Sequence, residues 1–88
     1  GWNRSKMVLI ITKEEEKIRK TILEEIDRGL TKILSYGGFT KEKRPILMVV
    51  IDSTEFTTLK QAVSEIDPDA FVIVVDASEV LGKGFKLE

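Results

Sequence analysis

Three short stretches of this sequence hold residues that could do chemistry, and in each the chemistry is the holding of an anion. The first is the run from Gly37 to Arg44, where Gly37 and Gly38 would let backbone amides approach a phosphate while Thr40, Lys41, Lys43 and Arg44 supply a hydroxyl and positive charge. A hairpin turn with a solvated basic tip accounts for the same residues, and no Walker pattern accompanies them. Phe39 in this run could stack on a base or pack under a sheet edge. The second stretch is Gly82-Lys83-Gly84-Phe85, which permits an anion-cradling turn anchored by Phe85, or a tail ordered only by the packing of that ring. The third is Arg28, placed to reach an anion from a helix corner, although helix termination at Gly29 explains the pair as well.

Chemistry beyond binding has little to work with. The chain has no cysteine and no histidine, which removes disulfides, thiolate chemistry, typical zinc sites and triads that use a His base. Glu14, Glu15 and Glu16 read as a solvated first helical turn, because consecutive helical residues point in different directions. Asp67, Asp69 and Asp76 are explained by turns and a helix stop. No catalytic residue, metal site or cofactor is therefore expected, and the chain reads as a non-enzyme. A net charge of -1 with both signs interspersed gives no basic face for nucleic acid.

The elements that position these stretches follow from periodicity. Ser5 to Ile11 is an expected strand, apolar on both faces, ending at Thr12, which with Glu15 makes a capping box. A helix follows from about Lys13 to Arg28 with Ile18, Ile22, Leu23 and Ile26 as its apolar stripe, and Gly29 as a left-handed stop. Leu30 to Tyr36 reads as an edge strand and Ile46 to Ile51 as a central one. Asp52 and Glu55 form a second capping box, opening a helix to about Ile66 that buries Phe56, Leu59, Ala62, Val63 and Ile66. Asp67-Pro68 ends it, and Ala70 to Val75 is the last strand. At 88 residues this is one domain, expected over 1–86, with Leu87-Glu88 as a cloning scar. With Gly1 in place of an initiator Met, the expectation is a piece of a longer protein. Its 42% hydrophobic and 33% charged residues suit a soluble globular domain.

The order strand, helix, strand, strand, helix, strand matches an α+β ferredoxin-like βαββαβ sandwich, a four-stranded antiparallel sheet in the order 4-1-3-2 with both helices on one face. Three strands are nevertheless apolar on both sides. The second face needs cover, and the expectation is a homo-oligomer whose sheets face inward through Val8, Ile10, Leu47, Val49, Ile51, Val72 and Val74, or through their alternates on each strand.

Arg28-Gly29-Leu30-Thr31, Tyr36-Gly37-Gly38-Phe39-Thr40, Asp67-Pro68-Asp69-Ala70-Phe71 and Val80-Leu81-Gly82-Lys83-Gly84-Phe85, in this order, resemble the C-terminal cytosolic domain of the YitT family of bacterial membrane proteins. The resemblance spans nearly the whole chain. It implies a preceding bundle of transmembrane helices in the same chain and a domain at the cytoplasmic face of the bacterial membrane. The domain also resembles PII-like signalling proteins, which implies trimers rather than dimers and a small anionic effector bound between subunits. On that reading the domain senses a ligand for its membrane partner; the alternative is a purely structural oligomerisation module. The loop from Gly37 to Arg44 is shorter than the signalling loop of PII proteins.

Overall fold

The structure, a computed structural model, describes residues 5–82. Strand β1 (Ser5–Ile11) leads into helix α1 (Glu15–Thr21), which continues as one π-helical turn (Ile22–Ile26). Strands β2 (Thr31–Ile33) and β3 (Ile46–Asp52), helix α2 (Ser53–Ile66) and strand β4 (Phe71–Asp76) follow. The sheet has the order β2-β3-β1-β4 with every neighbouring pair antiparallel, which is the expected 4-1-3-2 sandwich read from the other edge. β1 and β2 run parallel around β3, and β3 and β4 run parallel around β1. Right-handed crossovers through α1 and α2 then land on the same side of the sheet.

Register decides which face that is. Val8 lies opposite Val49 and Val74, and Ile10 opposite Leu47 and Val72. Val8, Ile10, Leu47, Val49 and Ile51 are all 0–2% exposed and pack with Ile18, Ile22 and Ile26 of the first helical segment and Leu59 and Val63 of α2. Five of the seven residues expected at an oligomer interface therefore form the domain's own core. The sixth and seventh, Val72 and Val74, share this face but sit beyond the helices on the edge strand, 37% and 39% exposed. Alternation could not choose between the faces because β1 and β3 are aliphatic on both. The face left open is the alternate set.

The helix ends depart from expectation in instructive ways. Asp27, not Gly29, takes the left-handed conformation at φ 59°, and the Arg28 amide donates across the π turn to the Ile22 carbonyl at 3.1 Å. Gly29 is buried. The Thr12 hydroxyl accepts from the Glu14 amide at 2.9 Å, while Glu15 leaves the cap to accept from Lys32 at 3.0 Å, so the first capping box does not form. At α2, Asp52 caps by accepting from the Thr54 amide at 2.9 Å. Its expected partner Glu55 accepts instead from Arg28, whose Nε and Nη2 lie 3.1 and 2.8 Å from one carboxylate oxygen.

Two substitutions test this packing by urea denaturation. Ile10→Ala empties a fully buried site and is expected to cost about 2–5 kcal/mol. Asp52→Ala, which removes only the cap, is expected to cost about 1 kcal/mol.

Candidate functional site

The connection from β2 to β3 is an ordered hairpin extension. The Arg44 amide donates to the Ser35 carbonyl at 2.7 Å, the Gly37 amide to Glu42 at 2.8 Å, and the Lys41 amide back to Gly37 at 2.9 Å. Gly37 is required by close approach: a Cβ there would stand 2.6 Å from Thr40 Oγ1 and 3.2 Å from Arg44 Cδ. That is a structural duty, as is that of Thr40, whose hydroxyl accepts from the Glu42 amide at 3.2 Å. A Cβ at Gly38 would meet open space. Phe39 neither stacks nor packs under the sheet edge; it is 98% exposed at the tip.

Beneath this loop lies a cleft of about 300 Å³ lined by Ile11, Thr12, Lys13, Lys43, Arg44, Pro45, Asp67 and Asp69. It forms where β1 ends, β3 begins and α2 gives way to β4. Among the described residues, Lys13, Lys43 and Arg44 form no salt bridge, so the positive charge on this wall is open to a ligand. Asp67, 4% exposed, is the knot below them. One of its oxygens accepts from the Thr12 hydroxyl at 2.6 Å and the other from the Asp69 amide at 3.0 Å. The Thr12 hydroxyl holds the Asp67 carboxyl below the usual carboxylate range, with further help from the Asp69 and Lys13 amides and the Lys13 charge against the opposing effect of burial. Among the described residues, no group of three or more acidic side chains could hold a metal ion.

The remaining expected site residues are elsewhere. Arg28 lies at the opposite end of the sheet, about 20 Å away along the strands, with its charge engaged by Glu55. Gly82, at φ +97°, comes six residues after the end of β4 and does not line the cleft. Lys83, Gly84 and Phe85 lie outside the described residues. Among the described residues, the cleft thus brings together the loop cations Lys43 and Arg44 with Lys13. Lys13 and Asp67 join the site unannounced; only the fold could show that Thr12 and Asp67, 55 residues apart, meet.

The second candidate surface is the open face of the sheet. Leu9 at its centre pairs with Met48 and Ile73, Met7 with Val50 and Val75, and Ile11 with Ile46 and Phe71, with Ile33 extending the row onto β2. No charged side chain interrupts this set; Asp52 stands at its border. In projection it covers roughly 400 Å², as large as the biggest apolar patch of a typical monomer. No helix among the described residues is long and apolar enough to cross a membrane.

Residues 28–82 match the family model described as an uncharacterized protein conserved in bacteria, DUF2179. UPF0750 membrane protein YvjA of Bacillus subtilis (strain 168) is 63% identical over 86 residues, covering 98% of this chain and 31% of that protein. An uncharacterized protein in the cccA 5' region of Bacillus sp. (strain PS3) is 59% identical over 86 residues, covering 98% of this chain and 57% of its own length. UPF0750 membrane protein YitT of Bacillus subtilis is 32% identical over 74 residues, 84% of this chain and 26% of that protein. The chain therefore spans from about a quarter to just over half of these relatives. The crystal structure of a DUF2179 protein from Eubacterium ventriosum superposes with a TM-score of 0.72 at 28% identity, covering 81% of this chain and 97% of that one. A functionally unknown protein from Pediococcus pentosaceus, 13% identical, shares the fold with a TM-score of 0.76 over 89% of this chain and 96% of its own.

The Asp67 knot makes a pH prediction. A carboxyl whose folded value is depressed stabilises the fold above the ordinary carboxylate range and loses that contribution as pH falls through the folded value. Thr12→Val should therefore destabilise the chain most at neutral pH, with the gap to wild type closing as Asp67 protonates. Urea unfolding across acid pH measures it, and a gap independent of pH would contradict the knot.

Proposed function

We propose, from the premise that this chain belongs to the DUF2179 family and that relatives named membrane proteins extend well beyond it, that the domain holds copies of such a protein together. The observation that carries this reading is the open sheet face, ten apolar side chains with no charge among them. Facing it with the same face of another copy removes those side chains from water without burying a charge, and the hydroxyls on that face, Thr31 and Ser5, stand at its borders. The domain would sit at the cytoplasmic face of the bacterial membrane, joined to the transmembrane part of its own chain. There the assembly would set the spacing of the membrane segments.

A second reading, ligand sensing, has its own support in the cleft under the loop. Lys13, Lys43 and Arg44 converge on a space of about 300 Å³, the lower end of the size of small-molecule sites. A phosphate or carboxylate group there would meet charge supplied at once by Lys13, ahead of α1, and by the loop. Binding would then fix the loop relative to the helix and pass a signal to a neighbour.

Light scattering tests the first reading: Leu9→Lys should lower the assembled mass while the far-UV circular dichroism stays native, and an unchanged mass contradicts it. Thermal shift tests the second. Inorganic phosphate, citrate and AMP are the probes, and saturable stabilisation by at least one is expected to vanish in Lys43→Glu but survive in Lys20→Glu. No stabilisation by any of the three counts against a ligand.

A further inference from the structure

Among the described residues, strand β4 is left open on three sides. Phe71, Ile73 and Val75 continue the uncovered face, Val72 and Val74 lie beyond the reach of the helices on the other, and the outer edge carries no neighbouring strand. The described residues after it, through Gly82, add no strand there. Edge strands in stable monomers are blunted by a lysine, a proline, a bulge or shortness. β4 has none of these within Phe71 to Val75, and its register with β1 runs unbroken from Lys6↔Asp76 to Ile11↔Phe71. By contrast, β2, the other edge, is three residues long and carries Lys32.

The backbone tells which groups are free. The Ala77 amide donates to the Ser5 carbonyl at 3.0 Å, so that position is a hydrogen-bonded pair of the antiparallel ladder. Stepping by two, Val75, Ile73 and Phe71 also spend their amides and carbonyls on β1. Val72 and Val74 therefore turn theirs outward, away from β1.

We propose that β4 pairs antiparallel with β4 of a second copy about a two-fold axis at Ile73. This register sets Phe71 against the partner's Val75 and Val72 against the partner's Val74. The outward amides and carbonyls of Val72 and Val74 then satisfy one another. Only registers that match odd with odd positions keep the apolar faces of the two sheets on one side. Centring on Ile73 places an aromatic beside a β-branched side chain and keeps Asp76, which pairs with Lys6, clear of the valines. The product is one continuous eight-stranded sheet, four strands from each copy. An isologous contact of this kind closes at two copies, so assembly proceeds in even numbers in place of the three that the PII-like resemblance implies. Face packing leaves this edge open, so the pairing goes beyond the assembly reading above.

Residue-resolved amide exchange is the test. In the dimer, the Val72 and Val74 amides should exchange more than about tenfold slower than in dilute monomer. Ile73→Cys, the only cysteine the chain would then have, should oxidise to a covalent dimer, since directly opposed residues at such a position have Cα atoms about 4.5 Å apart. Lys60→Cys should not. The same exchange is read in Leu9→Lys, in which face packing is removed: protection there supports the edge pairing even if the face reading fails. Unprotected Val72 and Val74 in both chains overturns the edge pairing, whether or not the wild-type chain assembles. Protection that persists in the dilute monomer, or a wild-type assembly of three copies, overturns it equally.

Discussion

Everything in this domain follows from two aliphatic faces and one set of helices. Right-handed crossovers place α1 and α2 on the same side of the sheet, so they shield Val8, Ile10, Leu47, Val49 and Ile51, and among the described residues no helix is placed over Met7, Leu9, Ile11 and their neighbours. An 88-residue chain buries only about 60 to 65% of its unfolded surface by itself, which leaves little stability in reserve. Leaving side chains of Leu, Ile and Val in water forgoes about 1.5–3 kcal/mol for each one fully buried elsewhere. An open face free of charge under those conditions is what the proposed contact between copies rests on.

The same topology divides the polar chemistry between two ends of the sheet. At one end, Arg28 and Glu55 tie the end of the first helix to the start of α2 through a half-exposed ion pair. Its net worth is modest, since solvent screens it, but it fixes how the helices enter and leave the sheet. At the other end the Thr12 hydroxyl and the Asp67 carboxylate join the start of the first helix to the end of α2, under a loop that brings Lys43 and Arg44 over them. Any anion bound at that end touches both the hairpin and the helix pair, and the apolar face begins one residue away at Ile11.

Local signals in the sequence were strong wherever a single segment decides its own structure. The bounds of β1, the cap at Asp52 and the stop at Asp67 were legible because a short apolar run, capping and proline act within a few residues. The likeness to relatives named membrane proteins was legible too, through the order of four short motifs. What could not be read were matches between distant segments. Glu55 sits where a capping box wants it, yet Arg28, distant in sequence, offers a stronger partner than a single amide. Asp27 displaced Gly29 as the left-handed residue because the π turn shifts the helix end, which periodicity at 3.6 residues does not register. The choice of face was the largest loss: with both sides of β1 and β3 aliphatic, only the three-dimensional path of the helices distinguishes core from interface.

The central claim is that this sheet cannot remain a single copy with its open face in water. Sedimentation equilibrium of the unmodified chain over a wide concentration range measures that directly. If copies cover one another's open face, the mass rises to a multiple of 10.0 kDa and falls towards one copy only on dilution. A single species of 10.0 kDa at every concentration, still folded and still soluble, would contradict it.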